Sequence, residues 1–143
     1  MKIIEIMAPF TVSIECDYEG FWRYNYVVMG SVMCAGEEVD FIKHRSEVAP
    51  VGAELREMPL GYSKERGVKL VSKEGDELTL YIYVIPHTLP STDSTADAEV
   101  FNMSLVVSHG SKVILKRQLE INPWSGDNIE LRLNSEGLTK SEL

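Results

Sequence analysis

The sequence predicts an all-β chain, an antiparallel β-sandwich of about seven to eight strands, immunoglobulin-like or transthyretin-like. Three observations carry that expectation. Short runs of alternating apolar and polar residues recur along the 143 residues, clusters of Gly, Pro, Asn and Asp separate them, and no stretch shows the apolar spacing of an amphipathic helix. The most apolar run, Asp76 to Pro90, organises the rest. In an extended chain Leu78, Leu80, Ile82 and Val84 fall on one side and Thr79, Tyr81, Tyr83 and Ile85 on the other, because successive side chains alternate. Two apolar faces describe a central strand, covered on one side by a second sheet and on the other by loops or a partner.

Upstream, Phe10, Val12, Ile14 and Cys16 alternate with Thr11, Ser13, Glu15 and Asp17, the pattern of a half-buried strand. Tyr18-Glu19-Gly20 supplies a turn. Phe21 to Met33 then reads as a long returning strand with Trp22, Tyr24, Tyr26 and Val28 on one face, and Gly30 marks a bulge or bend. The two strands are expected to form a hairpin. Residues 35–66 are broken by Gly36, Pro50, Gly52, Pro59 and Gly61, and hold one short strand at Glu37 to Ile42 and an edge strand or helical turn at Gly52 to Met58.

Val68 to Ser72 restarts the alternation, and Lys73-Glu74-Gly75-Asp76 is expected to turn a second hairpin into the central strand. Pro86 and Pro90 end that strand, since proline lacks the ladder donor. Ser91 to Asp97 reads as a polar loop. Glu99 to Ser108, with Phe101, Met103, Leu105 and Val107 inward, then meets Lys112 to Ile121, with Val113, Leu115, Leu119 and Ile121 inward, across a His109-Gly110 turn. Ile129, Leu131 and Leu133, interleaved with Glu130 and Arg132, form the last strand. One domain is expected over residues 1–134, with 135–143 a frayed tail.

Fourteen Lys and Arg against 22 Asp and Glu give a net charge of -8 with no basic stripe. Such a surface repels phosphate backbones and anionic lipid heads, so neither nucleic acid nor a membrane surface is the expected partner. No apolar run approaches the roughly 20 residues that span a bilayer. Met1 to Pro9 carries Glu5 inside its apolar run and does not read as a secretory signal. The expectation is a cytoplasmic chain, or a cell-surface one whose export signal has been removed. On the first hairpin Cys16 and Cys34 would lie roughly 40 Å apart, beyond disulfide reach, which predicts two free, mostly buried thiols.

Chemistry is thinly represented. His44, His87 and His109 fall in predicted loops or turns, where solvated histidines are the plain reading, and none belongs to a local metal-binding spacing. Neither a Gly-x-Ser-x-Gly elbow nor a phosphate-binding glycine loop occurs. Asp93, Asp97 and Glu99 bring carboxylates to one loop, but not at the alternate spacing of an EF-hand. The expectation is therefore a chain that is not an enzyme and needs no cofactor or metal. Trp22, Tyr24, Tyr26, Tyr81 and Tyr83 form the candidate interaction surface, for stacking on sugar rings or gripping a protein. Core packing is the competing and favoured reading of the same residues, because aromatics suit strands for packing reasons alone.

The order of features in the last 55 to 60 residues resembles the C-terminal half of fimbrillin-like domains from Bacteroidales surface proteins. The residues that carry the resemblance are Val84-Ile85-Pro86-His87-Thr88-Leu89, the Phe101 to Ile121 hairpin, and Trp124-Ser125-Gly126 before Ile129-Glu130-Leu131-Arg132-Leu133. That family usually has glutamine where His87 stands. The resemblance implies a non-enzymatic structural or adhesion-type subunit that self-associates, or takes a protein partner, by strand addition at a sheet edge. The alternative is a soluble carbohydrate- or protein-binding module that uses its aromatic strand faces.

Overall fold

The computed structural model describes residues 7–16, 18–55, 67–88 and 100–142. Alternation builds nine strands among them: β1 (Ala8–Glu15), β2 (Tyr24–Cys34), β3 (Glu37–Ser46), β4 (Val68–Gly75), β5 (Glu77–Pro86), β6 (Phe101–His109), β7 (Lys112–Ile121), β8 (Asp127–Asn134) and β9 (Gly137–Glu142). They form two antiparallel sheets, ordered β4-β1-β6-β7 and β3-β2-β5-β8-β9. The sheets pack as a β-sandwich around one core. Phe10, Val12 and Ile14 of β1 and Met103, Leu105 and Val107 of β6 face Tyr26 and Val28 of β2, Leu80 and Ile82 of β5 and Leu131 of β8. β5 is the middle strand of its sheet, and Leu78, Leu80, Ile82 and Val84 are all buried, as the two apolar faces of the sequence predict.

Neither the hairpin expected over residues 10–33 nor the one expected over residues 68–86 forms. β1 pairs with β4 and β6, and β2 with β3 and β5, so the chain changes sheets between β1 and β2. The 3-10 turn Glu19–Arg23 makes this crossing. Its aromatic flanks explain why: Tyr18 stacks on Phe101 with centroids 4.4 Å apart, and Phe21 on Tyr26 at 5.3 Å. An exposed hairpin turn would leave those rings in water. The chain changes sheets again between β4 and β5. There the Asp76 N–H donates to the Met33 carbonyl (2.9 Å), and His109 Nε2 lies 2.9 Å from the Gly75 carbonyl oxygen. A β-carbon on Gly75 would sit 2.8 Å from Met33 O, so glycine is required by the close approach of β2.

Other boundaries also shift. β3 runs four residues beyond its expected end at Ile42, because Lys43 to Ser46 continue the ladder against β2. Residues 137–142, expected in the tail, pair with β8 as the sheet's edge strand. In the β6–β7 ladder the register slips between Val107 and Ser108, leaving Ile114 of β7 as the extra residue and turning Val113 out to 56% exposure instead of inward. Gly30 marks no bulge; the β2–β3 ladder shifts between Val32 and Met33, with Val39 of β3 as the extra residue, and Gly30 makes room for Ile42 and Leu78. Residues 56–66 and 89–99 lie outside the described residues, and with them the end of Gly52 to Met58, whose described residues 52–55 hold the end of a turn and no strand, the Ser91 to Asp97 loop and the cluster of Asp93, Asp97 and Glu99.

Both cysteines are half-buried, and neither belongs to a disulfide. The reason for their separation differs from the expected one. Cys34 Sγ lies 3.6 Å from Met7 Sδ before β1, whereas Cys16 follows the end of β1, so the strand's length, roughly 30 Å, divides them. Nor are the histidines solvated turn residues. His44 belongs to β3, while His87 and His109 are buried, His109 tilted against Phe10 with ring centroids 4.5 Å apart. Among the described residues no helix is long and apolar enough to cross a membrane.

Candidate interaction face

The ladder of the five-stranded sheet decides which side chains meet on its outer side. β2 and β5 pair Val27 with Tyr83, Met29 with Tyr81 and Ser31 with Thr79. On the β3 side Arg45, Lys43 and Phe41 extend these three rows, and on the β8 side Asn128, Glu130 and Arg132 do. The result is an apolar and aromatic strip along β2 and β5, with Lys43 and Arg45, the latter paired with Glu47, along one flank and Glu130 and Arg132 along the other. Tyr81, Tyr83, Val27 and Met29 are half-buried, Phe41 is 50% exposed and Ile85 37%. Glu130 lies 3.7 Å from Arg132 in an exposed ion pair.

The outer side of the four-stranded sheet is different. It presents Thr11 and Ser13 from β1, Asn102, Ser104 and Ser108 from β6 and Gln118 and Glu120 from β7, broken by Val71, Val106 and Val113. One sandwich thus has a mostly polar outer face and one with an apolar and aromatic strip between charged flanks. Solvation alone favours the first arrangement; the second leaves apolar area that a partner can remove from water at about 25 cal/mol per Å².

The five aromatic residues singled out from the sequence separate accordingly. Tyr24 and Tyr26 lie in the core, and Trp22 is buried at 7% exposure in the 3-10 turn with the Arg23 guanidinium 4.7 Å over its ring. They offer no surface. Tyr81 and Tyr83 stay on the outer face, joined by Val27, Met29, Phe41 and Ile85, which the sequence reading did not select. The missing signal was the strand order: parity within β5 pairs Tyr81 with Tyr83, but only the β2–β5 register brings Met29 and Val27 beside them.

The edges at β7, β3 and β4 are less inviting. β7 carries the bulge at Ile114, lysines at 112 and 116, and Arg117 on the core-facing side opposite Leu105. Across the other side of the sandwich, Asp40 Oδ2 of β3 accepts from the Lys73 N–H of β4 (2.9 Å). Bulges, lysines and inward charges are the usual devices that keep an edge from adding a strand.

The exit of β5 fixes the face at one end. Tyr24 Oη donates to the Pro123 carbonyl (2.8 Å), and Asn25 Nδ2 donates to the Ala49 carbonyl (2.7 Å) while its Oδ1 accepts from Val48 N–H (2.7 Å). Tyr24→Phe removes one buried hydrogen bond and no ring packing, so a loss of about 1 kcal/mol in urea unfolding is expected, with the m-value unchanged. No protein-family model, curated protein or solved structure significantly matches this chain.

Proposed function

We propose that the chain is a non-enzymatic module of structural or adhesion type that holds a protein against the outer face of its five-stranded sheet. The carrying observation is the asymmetry of the two outer faces, one mostly polar and the other built around Val27, Met29, Tyr81 and Tyr83. The histidines fit the same reading, because His87 Nε2 lies 2.6 Å from the Trp22 carbonyl oxygen and His109 Nε2 2.9 Å from that of Gly75, where both brace the fold. The resemblance to fimbrillin-like domains supports a surface subunit. The blunted edges favour docking on the face over strand addition.

A photo-crosslinking side chain introduced at Tyr83, with Ser104 of the opposite face as control, tests this in the cell that makes the protein. Covalent protein adducts are expected from position 83 and not from 104. Equal yields from the two positions, or none from either, would overturn the reading.

A second reading, carbohydrate binding, rests on Tyr81 and Tyr83 standing two residues apart on one face, roughly 7 Å along the strand, a spacing that suits ring stacking. On a glycan array it requires a signal that Tyr81→Ala and Tyr83→Ala both abolish.

A further inference from the structure

We propose that the protein held on this face is a second copy of the chain, docked face to face about a two-fold axis parallel to the strands and midway between β2 and β5. The inference rests on the reading of this face as the working surface and adds the identity of its occupant. What carries it is charge and shape complementarity of the face with itself.

A two-fold axis in that position lays β2 over β5 of the second copy and β3 over β8, because the order β3-β2-β5-β8-β9 is reversed across the axis, with β9 outside the overlap. Rows at the same height then meet. In the middle row, Lys43, Met29, Tyr81 and Glu130 of one copy oppose Glu130, Tyr81, Met29 and Lys43 of the other. Each lysine meets a carboxylate, and each thioether meets an aromatic ring, both favourable contacts. In the row towards Phe41, that ring meets Arg132 of the second copy, a cation over a π-face. In the row towards Arg45, Val27 meets Tyr83.

The alternative axis, perpendicular to the strands, would set β3 over β3 and β8 over β8. With that axis through the middle row, Lys43 would face another Lys43 and Glu130 another Glu130. Electrostatics therefore selects one of the two symmetric dockings. Four strands at about 4.8 Å spacing and nine residues of β5 give a face of roughly 550 Å² in projection, the same order as the 800 Å² per partner of a standard interface. Sheets stacked in this manner lie about 10 Å apart and turn by about 30°, which the long side chains of the flanks can follow.

The test uses the purified chain and two charge reversals, K43E and E130K, on strand surfaces outside the core. Sedimentation equilibrium of the wild type is expected to show a dimer whose dissociation constant rises with salt. Each reversal alone sets like charges against each other at both symmetric contacts, and is expected to raise the dissociation constant about tenfold or more. An equimolar mixture of the two variants is expected to recover a heterodimer of near wild-type affinity, because both contacts are then attractive again. The double variant should recover the homodimer for the same reason. Unchanged far-ultraviolet circular dichroism of the single variants separates lost docking from lost folding.

A wild type that stays monomeric at millimolar concentration, a dimer indifferent to both reversals, or a mixture no tighter than its components would overturn the proposal. A monomer whose position 83 still crosslinks to another protein in cells overturns self-docking and leaves the working face in place. A monomer with no adduct overturns both.

Discussion

Gly126→Ala is expected to destabilise the protein by about 3 kcal/mol or more, read as a lowered urea midpoint at unchanged m-value. Gly126 closes the connection from β7 to β8 in the left-handed region, at φ 69°, with its N–H donated to the Asn122 carbonyl (2.8 Å). Left-handed backbone alone costs an alanine about 1 to 2 kcal/mol. Here a β-carbon would also overlap the Val84 carbonyl oxygen and come within 3.0 Å of Pro86 Cδ. Val84 is main chain of the central strand, paired on one side with Tyr26 and on the other with Asp127, so it cannot withdraw without breaking a ladder. Gly36 is the control. It too has positive φ, 84°, but nothing lies within 4 Å of its would-be β-carbon. Gly36→Ala should show the conformational cost alone, about 1 kcal/mol, and equal losses at the two sites would refute the clash.

The contrast between these glycines also marks how far the sequence could be read. Alternation exposed the central strand and the inward sides of β6 and β8, because a period of two is written in the chain itself: Phe101, Met103, Leu105 and Val107 are all buried. Connections are not written that way. Lys73-Glu74-Gly75-Asp76 has the composition of a hairpin turn, and what makes it a passage between sheets is the donation from Asp76 N–H to Met33, 43 residues away in sequence. The same holds for Tyr18 to Gly20, whose neighbouring rings find Phe101 and Tyr26 only once β6 and β2 are in place.

The candidate face was half legible for the same reason. Tyr81 and Tyr83 could be grouped by parity, whereas Lys43, Met29 and Glu130 come from three strands and share a row only through the sheet order. Tyr24 and Tyr26 have the same local pattern as Tyr81 and Tyr83. The side of the sheet that faces the β1–β6 layer decides between core and surface, and that is a property of the pairing.

His87→Ala is expected to cost about 2 to 4 kcal/mol, and His87→Gln distinctly less. The ring is buried at the exit of β5, below a main chain already held by donation of the His87 N–H to the Arg23 carbonyl (2.9 Å). Nε2 lies 2.6 Å from the Trp22 carbonyl oxygen, which can only accept, so that nitrogen carries a proton. Nδ1 lies 2.8 Å from Thr88 Oγ1, the same hydroxyl that accepts from Leu55 N–H (3.2 Å) and lies 3.1 Å from the Ala53 carbonyl oxygen. One imidazole therefore ties the 3-10 turn before β2 to the segment after β3. Alanine removes the donor to Trp22 and opens a cavity beneath it. Glutamine restores an amide N–H of similar reach. Acrylamide quenching supplies the local readout, since Trp124 is 43% exposed and accessible in any variant while Trp22 is shielded. His87→Ala should raise the accessible fraction of the emission and His87→Gln should leave it near wild type. Equal stability and equal quenching in the two variants would show that the imidazole contributes bulk alone and that the hydrogen bond to Trp22 does not hold the turn.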